Sequence, residues 1–372
     1  MTKNTLAAVS LFSGAGGMDV GFVSAGFDVQ IANDIDKDAC LTYEKNHSGR
    51  IIHGDLVGKA HLLKGHEGVD MLFGGPPCQG FSVAGKMDPD DERSQLLLSF
   101  FDVVDALEPT AFVCENVKAL AQLEKWSGVR DEVMARASAN YNVTMIVLSA
   151  NDFGVPQKRE RVFCIGIHRR KGNLSPTAFD ALVRAMLEQQ KRAAETVEQV
   201  IRRTGRAGSA RNEEICNAKI TFAKAPVLRK SPYAGMLFNG AGRPLAAKGY
   251  ASTLPASMGG NKTPIVDEGE IFDGLPSFVE SYHNGLMAGD KPKEGCAPSR
   301  LRRLTVAECL RFQTFPESYQ LYGRQSAKYR QIGNAVPSKL AEAVANVARD
   351  LLAQNSLIDF AEHIAGMKVA AE

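Results

Sequence analysis

The stretch that decides the reading is Val69-Asp70-Met71-Leu72-Phe73-Gly74-Gly75-Pro76-Pro77-Cys78-Gln79-Gly80-Phe81-Ser82. Val69–Phe73 reads as a buried strand, and the glycines and prolines after it end the strand. A cysteine directly after two prolines, at a strand's C-terminal end, fills a core poorly and presents a thiol well. A lone cysteine is more often a small buried apolar residue. The segments around Cys78 must therefore decide between the two readings.

Working outward, the first ~170 residues alternate short apolar runs with helical spacing. Strands are expected at Leu6–Phe12, Val29–Asn33, Met71–Phe73, Ala111–Cys114, Val143–Leu148 and Val162–Ile167, with helices at Asp36–Asn46, Ser94–Leu107 and Val129–Asn140 between them. This alternation predicts an α/β, doubly wound, mostly parallel Rossmann-like sheet with ligands at the C-terminal strand ends. Phe179–Arg203 reads as one long charged helix, and about Cys216 to Arg300 as a smaller irregular β/loop domain rich in Gly, Pro, Ser and Asn. Thr305 and Glu308 form a capping box for a helix through Phe312, and Ser338 caps a helix through Leu352. The tail after Gln354 has no assignment.

Bulk properties exclude several classes. With 372 residues, 44% hydrophobic and 23% charged, the chain has room for two domains and an ordinary globular composition. It has no apolar run near the ~20 residues of a membrane helix, and the N-terminus reads as a first strand and loop, with no secretion signal. Seven cysteines without a C-x-x-C pair argue against a disulfide framework or a zinc site, so no metal is expected and a cytoplasmic setting is. Net charge is +2, but Arg169–Lys230 holds 14 Lys/Arg against 6 Asp/Glu, leaving about −6 for the rest. Such a segment suits a polyanion partner or a solvated helix face.

Further segments along the chain bear on the chemistry. Phe12-Ser13-Gly14-Ala15-Gly16-Gly17 follows the first strand and opens a helix, where glycines admit a ligand to the backbone. Asp34, about 20 residues on at the end of the second strand, is placed to bind ribose hydroxyls. Together they indicate either a nucleoside cofactor, without separating a nicotinamide dinucleotide from S-adenosylmethionine, or a tight structural turn. Asp55 follows the third strand and is either an adenine contact or a turn aspartate. Glu115, in Glu115-Asn116-Val117, is either an acid/base group or a helix cap. In Gln157-Lys158-Arg159-Glu160-Arg161, strand alternation puts Arg159 and Arg161 on one face, suited to phosphate or carbonyl oxygen, or to an ion-pair ladder with Glu160. Gln331-Ile332-Gly333-Asn334-Ala335-Val336-Pro337 is ordinary loop chemistry by itself.

Taken together these segments resemble the DNA cytosine-5 methyltransferase family of bacterial and phage restriction-modification systems. Leu11–Gly17 looks like its first cofactor motif, Pro76-Pro77-Cys78-Gln79 its nucleophile motif, Glu115-Asn116-Val117 its acid motif and Gln157–Arg161 its arginine motif. Arg303-Leu304-Thr305-Val306-Ala307-Glu308-Cys309 and Gly333–Pro337 look like its two C-terminal motifs. Each is modestly specific, but six in the family's order, over roughly residues 6–168 and 300–352, make chance negligible.

The resemblance implies S-adenosylmethionine as cofactor and a flipped cytosine in double-stranded DNA as substrate. Carbon 5 of cytosine is too weak a nucleophile until a thiolate adds at carbon 6, the role implied for Cys78. Glu115 would donate or share a proton at N3, and Arg161 with Arg159 would hold O2 and a neighbouring phosphate. Phe12, Gly14, Gly16, Gly17, Asp34, Ile35, Asp55, Leu56, Pro76 and Asn334 would bind the cofactor. Gln79, Ser82, Arg159 and Arg161 would contact DNA. Relatives often carry a larger aromatic residue where Ile35 stands.

The expected organisation is a discontinuous catalytic domain, 1–168 plus 331–372, a target-recognition domain, 169–300, and a connecting segment, 301–330. Tyr250–Lys262 is the expected recognition loop. A monomer is expected, with a cognate restriction endonuclease as a separate component. The alternatives are the same chemistry on a tRNA cytosine, a catalytically silent DNA-binding regulator, and a nicotinamide-dependent oxidoreductase, which has no need of Cys78 on a Pro-Pro loop.

Overall fold

A computed structural model describes residues 5–77 and 95–369. The chain divides into two compact units. The first comprises residues 1–153, 160–192 and 338–372, and the second residues 154–159 and 193–337.

The first unit is built on seven strands: β1 (Leu6–Leu11), β2 (Phe27–Asp34), β3 (Arg50–His53), β4 (Met71–Gly74), β5 (Ala111–Val117), β6 (Tyr141–Ser149) and β8 (Glu160–His168). β7 (Gln157–Lys158) belongs to the second unit. The sheet order is β3-β2-β1-β4-β5-β8-β6, parallel throughout except that β8 runs antiparallel to β5 and β6. The expected doubly wound, mostly parallel α/β sheet is therefore present. β3 is the one strand whose bounds the pattern did not supply, since its four residues are half-exposed.

Helices α1 (Gly17–Ser24), α2 (Lys37–Asn46), α3 (Gln95–Leu107), α4 (Lys118–Gln122) and α5 (Ser127–Ser138) follow the strands. Phe100, Phe101, Phe112 and Tyr141 pack edge-to-face in the core between α3, α5 and the sheet. α12 (Ser338–Leu352) returns to this unit and packs on α1. Gly21 makes that approach close, because a Cβ there would lie 2.5 Å from the Glu342 backbone nitrogen. The unassigned tail forms α13 (Leu357–Val369), which packs on α6 (Pro176–Gln189).

The long helix expected over Phe179–Arg203 is two helices, α6 and α7 (Val197–Thr204). The break is written locally. Thr196 and Gln199 form a capping box that starts α7, and Arg192 pairs with Glu342 at 2.5 Å in the linker. The unit boundary falls in this linker, so α6 belongs to the first unit and α7 to the second. The expected boundaries at 168, 300 and 331 differ accordingly from those at 192/193 and 337/338, and 301–330 lies wholly within the second unit.

The second unit has a core of Ile220, Leu237, Phe238, Ile265, Val279, Tyr282, Leu286 and Leu301. Its strands are short: β9 (Phe222–Val227), β10 (Met236–Phe238), β11 (Ala251–Ser252), β12 (Ile265–Asp267) and β13 (Leu301–Arg303). The stretch read as irregular also holds two helices, α8 (Glu268–Asp273) and α9 (Phe278–Met287), each capped by a side chain, Asp267 and Ser277. α10 (Val306–Phe312) carries the Thr305–Glu308 capping box, and α11 (Gln325–Asn334) ends the unit. Glu308 is fully buried and takes both Arg302 Nη atoms, at 2.8 and 2.6 Å, which offsets its desolvation.

Candidate active site

In a doubly wound sheet, ligands bind where the strand order reverses, outside the carboxyl ends of the strands. Here that point lies between β1 and β4. The loop after β1 is Phe12–Gly16, and the loop after β4 is Gly75-Pro76-Pro77.

The first loop is held in an unusual backbone path. Phe12, Gly14 and Gly16 have φ of 52°, 54° and 76°. Left-handed geometry is costly for phenylalanine, so its surroundings must enforce it. Ser13 does so through its backbone N–H and its hydroxyl, which donate to the Asn33 carbonyl at 2.9 and 3.2 Å. Asp34 accepts from the Gly14 N–H at 2.7 Å and from the Asp36 N–H at 2.8 Å. Burial raises its carboxyl above the usual range against those two bonds. Asn33 donates to the Ile52 and Gly54 carbonyls at 2.9 and 2.8 Å, joining the ends of β2 and β3. Leu11, Phe12, Asn33, Leu56, Val57, Ser99 and Val103 line a shallow slot open to solvent. Ile35 beside it is 68% exposed.

This donor set suits a nucleoside-bearing cofactor. Phe12, Leu56 and Val57 offer apolar faces for a flat ring. Each Asp34 oxygen keeps a lone pair for a ribose hydroxyl after its backbone bond. Asp55 accepts from the Val57 N–H at 3.0 Å, as a turn aspartate does. One buried carboxyl behind the loop was not anticipated. Asp19 in α1 is 0% exposed, accepts from the Tyr43 hydroxyl at 3.0 Å, and is pushed up to about 7 by burial.

The second cluster forms at β5 and β8. Arg161 sits opposite Val117 in the antiparallel register, so its side chain shares a face with Glu115, two residues away. Its Nε lies 2.9 Å from Glu115 Oε1, and its Nη1 donates to the Glu160 carbonyl at 2.7 Å. Glu115 is 8% exposed. Gly75 approaches it closely; a Cβ there would lie 2.9 Å from Glu115 Oε2. Asn116 reaches from the same strand end to the Pro76 carbonyl at 3.4 Å. Glu115, Arg161 and the start of the Pro-Pro loop are thus brought together in one unit. Gly75 and Asn116 stood in the quoted motifs, but nothing in their spacing gave them a role.

Arg159 is placed differently. Alternation fails because β7 ends at Lys158 and β8 begins at Glu160, leaving Arg159 outside both strands. It lies in the second unit, 2% exposed, donating to the Leu254 and Gly333 carbonyls at 3.3 and 3.1 Å. Asn334 is exposed at the end of α11, also in the second unit. Cys78, Gln79 and Ser82 lie outside the described residues. Among the described residues no cluster of His, Cys, Asp and Glu could hold a metal ion, and no helix is long and apolar enough to cross a membrane.

The family model described as C-5 cytosine-specific DNA methylase matches residues 6–349. Among curated relatives, the type II methyltransferase M.FnuDI of Fusobacterium nucleatum is 30% identical over 94% of this chain and 96% of its own length. M.MthTI of Methanothermobacter thermautotrophicus is 32% identical over 92% and 97%. Among solved structures, the Dnmt2 methyltransferase of S. pombe aligns with a TM-score of 0.66 at 20% identity, over 94% of this chain and 99% of that one, which speaks to the fold alone.

Proposed function

The chain belongs to the C-5 cytosine-specific DNA methylase family, and from that premise we propose how its own residues serve the methylation of cytosine carbon 5. The observation that carries the reading is the Glu115–Arg161 pair beside Gly75 and Pro76.

Phe12, Leu56 and Val57 would enclose the adenine of S-adenosylmethionine, Asp34 would take its ribose, and Ile35 and Asp55 would border it. When bound, that cofactor supplies an electrophilic methyl group to carbon 5. The substrate is a cytosine turned out of double-stranded DNA, since carbons 5 and 6 are inaccessible within the stack. The Cys78 thiolate adds at carbon 6, forming a C–S bond and moving the ring's electrons toward carbon 5 and N3. Glu115 shares a proton at N3 as charge builds there. Arg161 holds the Glu115 carboxylate in position and offers its remaining N–H groups to O2. Once carbon 5 is methylated, loss of its proton re-forms the double bond and expels the thiolate, which restores Cys78. Gln79 and Ser82 would contact DNA beside the nucleophile.

The second unit would read the DNA. Many cations of the basic stretch are engaged in ion pairs, as Arg184, Lys191, Arg202, Arg203 and Arg206 show. Arg211, Lys219, Lys224, Arg229 and Lys230 are exposed and have no ion pair among the described residues, so they are candidates for phosphate contacts. The type II relatives support a cognate restriction endonuclease as a separate partner.

Expression in a bacterium lacking cytosine methylation, with bisulfite sequencing of its genome, tests the reading. Protected cytosines in one short fixed context are expected. An unmodified genome from folded, cofactor-binding protein would overturn the DNA assignment, and transfer to tRNA in vitro would then replace it.

A further inference from the structure

The residues around Arg159 form a buried polar network that holds the main chain of residues 251–256 together with carbonyls at the end of α11. β7 pairs in parallel with β11, Gln157 opposite Ala251 and Lys158 opposite Ser252. The Ala251 N–H donates to the Pro156 carbonyl at 3.0 Å, and the Thr253 hydroxyl to the Lys158 carbonyl at 2.8 Å. Gln157 Oε1 accepts from the Leu254 N–H at 3.1 Å, while its Nε2 donates to Gln313 Oε1 at 3.2 Å. Gln313 Nε2 in turn donates to the Ile332 carbonyl at 2.6 Å. Arg159 closes the circuit by bridging the carbonyls of Leu254 and Gly333. Gln157 and Gln313 are both 0% exposed. Gly333 completes the seat, because a Cβ there would come within 2.5 Å of Ala256 N and Cα.

The same segment turns polar side chains outward. Over 252–262, Ser252, Ser257, Asn261 and Lys262 are exposed, while Leu254 and Met258 are buried and the Thr253 hydroxyl is spent on the Lys158 carbonyl. A stretch whose backbone is held from below and whose upper face is hydroxyls, an amide and an ammonium suits hydrogen bonding to phosphates and base edges. Holding such a loop in its bound path beforehand lowers the ordering cost of binding.

Resting on the proposed DNA substrate, we infer that Arg159 is a positioning residue for DNA recognition, which with Gln157 and Gln313 sets the path of residues 251–256, and that it does not touch the reacting cytosine. Arg161 alone of the arginine pair then belongs to the chemistry.

The test is steady-state and single-turnover methylation of duplex DNA by Arg159→Lys and Gln313→Leu in the full chain, with binding of S-adenosylmethionine measured alongside. Lysine keeps the charge but cannot span two carbonyls. The expected result is a KM for DNA raised about tenfold or more, a single-turnover rate within about threefold of wild type, unchanged cofactor affinity, and a loss of discrimination against sites differing by one base pair. Gln313→Leu leaves Arg159 itself in place and should show the same pattern more weakly; it decides the matter if Arg159→Lys does not fold. A fall in the single-turnover rate of about 10²-fold with KM unchanged would overturn the inference and return Arg159 to the catalytic set. Failure of the wild-type protein to methylate any duplex would instead overturn the proposed function, so the two failures are distinguishable.

Discussion

Arg161 Nε lies 2.9 Å from Glu115 Oε1 across two antiparallel strands, while the backbone of Gly75 comes up against the other carboxylate oxygen. The carboxylate is therefore oriented by Arg161, and the missing Cβ at Gly75 lets the loop after β4 approach it. Glu115→Gln should slow single-turnover methylation by about 10²-fold or more with little change in DNA affinity. A wild-type rate would reduce Glu115 to a strand-end structural residue.

Arg161→Lys keeps a cation but loses the planar fork that can hold Glu115 and a substrate oxygen together. It should lower the rate by at least about tenfold and leave cofactor affinity intact. If the double variant with Glu115→Gln is no slower than the worse single, the two act as a unit.

Cys78→Ser should abolish methyl transfer while S-adenosylmethionine still binds. Duplex DNA carrying 5-fluorocytosine should trap wild-type protein as a covalent complex on denaturing gels, because fluorine cannot leave carbon 5 as a proton does. Appreciable turnover by the serine variant would remove Cys78 from the nucleophile's role.

Asp34 fastens the Phe12–Gly16 loop through Gly14 and is proposed to take the ribose. Asp34→Asn loses the charged acceptor, so the cofactor Kd, read by calorimetry, should rise about tenfold or more. An unchanged Kd would leave Asp34 as a loop staple only.

Asp19 bears on stability. Its carboxyl ionises near 3.8 when unfolded but is pushed up to about 7 by burial in the fold. Between those values the unfolded chain has released a proton that the folded chain keeps. Its stabilising contribution is therefore full below about 3.8, declines as pH rises, and is gone above about 7. Asp19→Asn, which keeps the acceptor for Tyr43, should exceed wild type in denaturant stability at pH 8 by on the order of a few kcal/mol. That advantage should shrink toward pH 4. Parallel stability curves would mean that Asp19 is ionised in the fold.

Much of this was written locally. The strand ends at Leu11, Asp34 and Gly74 fall within a residue of where the apolar runs stop, whereas β5 continues past the run Ala111–Cys114 to Val117, and the Thr305–Glu308 cap is local hydrogen bonding between neighbours in sequence. Motif order in the chain also determined the family, because six short segments need no distances to be read. The tertiary structure decided what depends on pairing between distant residues. Arg159 and Arg161 look equivalent by alternation, yet the chain passes between units at Glu160. One guanidinium is taken by carbonyls 95 and 174 residues away, and the other by a carboxylate brought close by the β5–β8 register. α6 and α7 likewise read as one apolar stripe, although they belong to separate units. Spacing reports which face a residue occupies within its own element. Which partner meets that face is set by long-range packing, and that separated the residue we place in the chemistry from the one we place beneath the recognition loop.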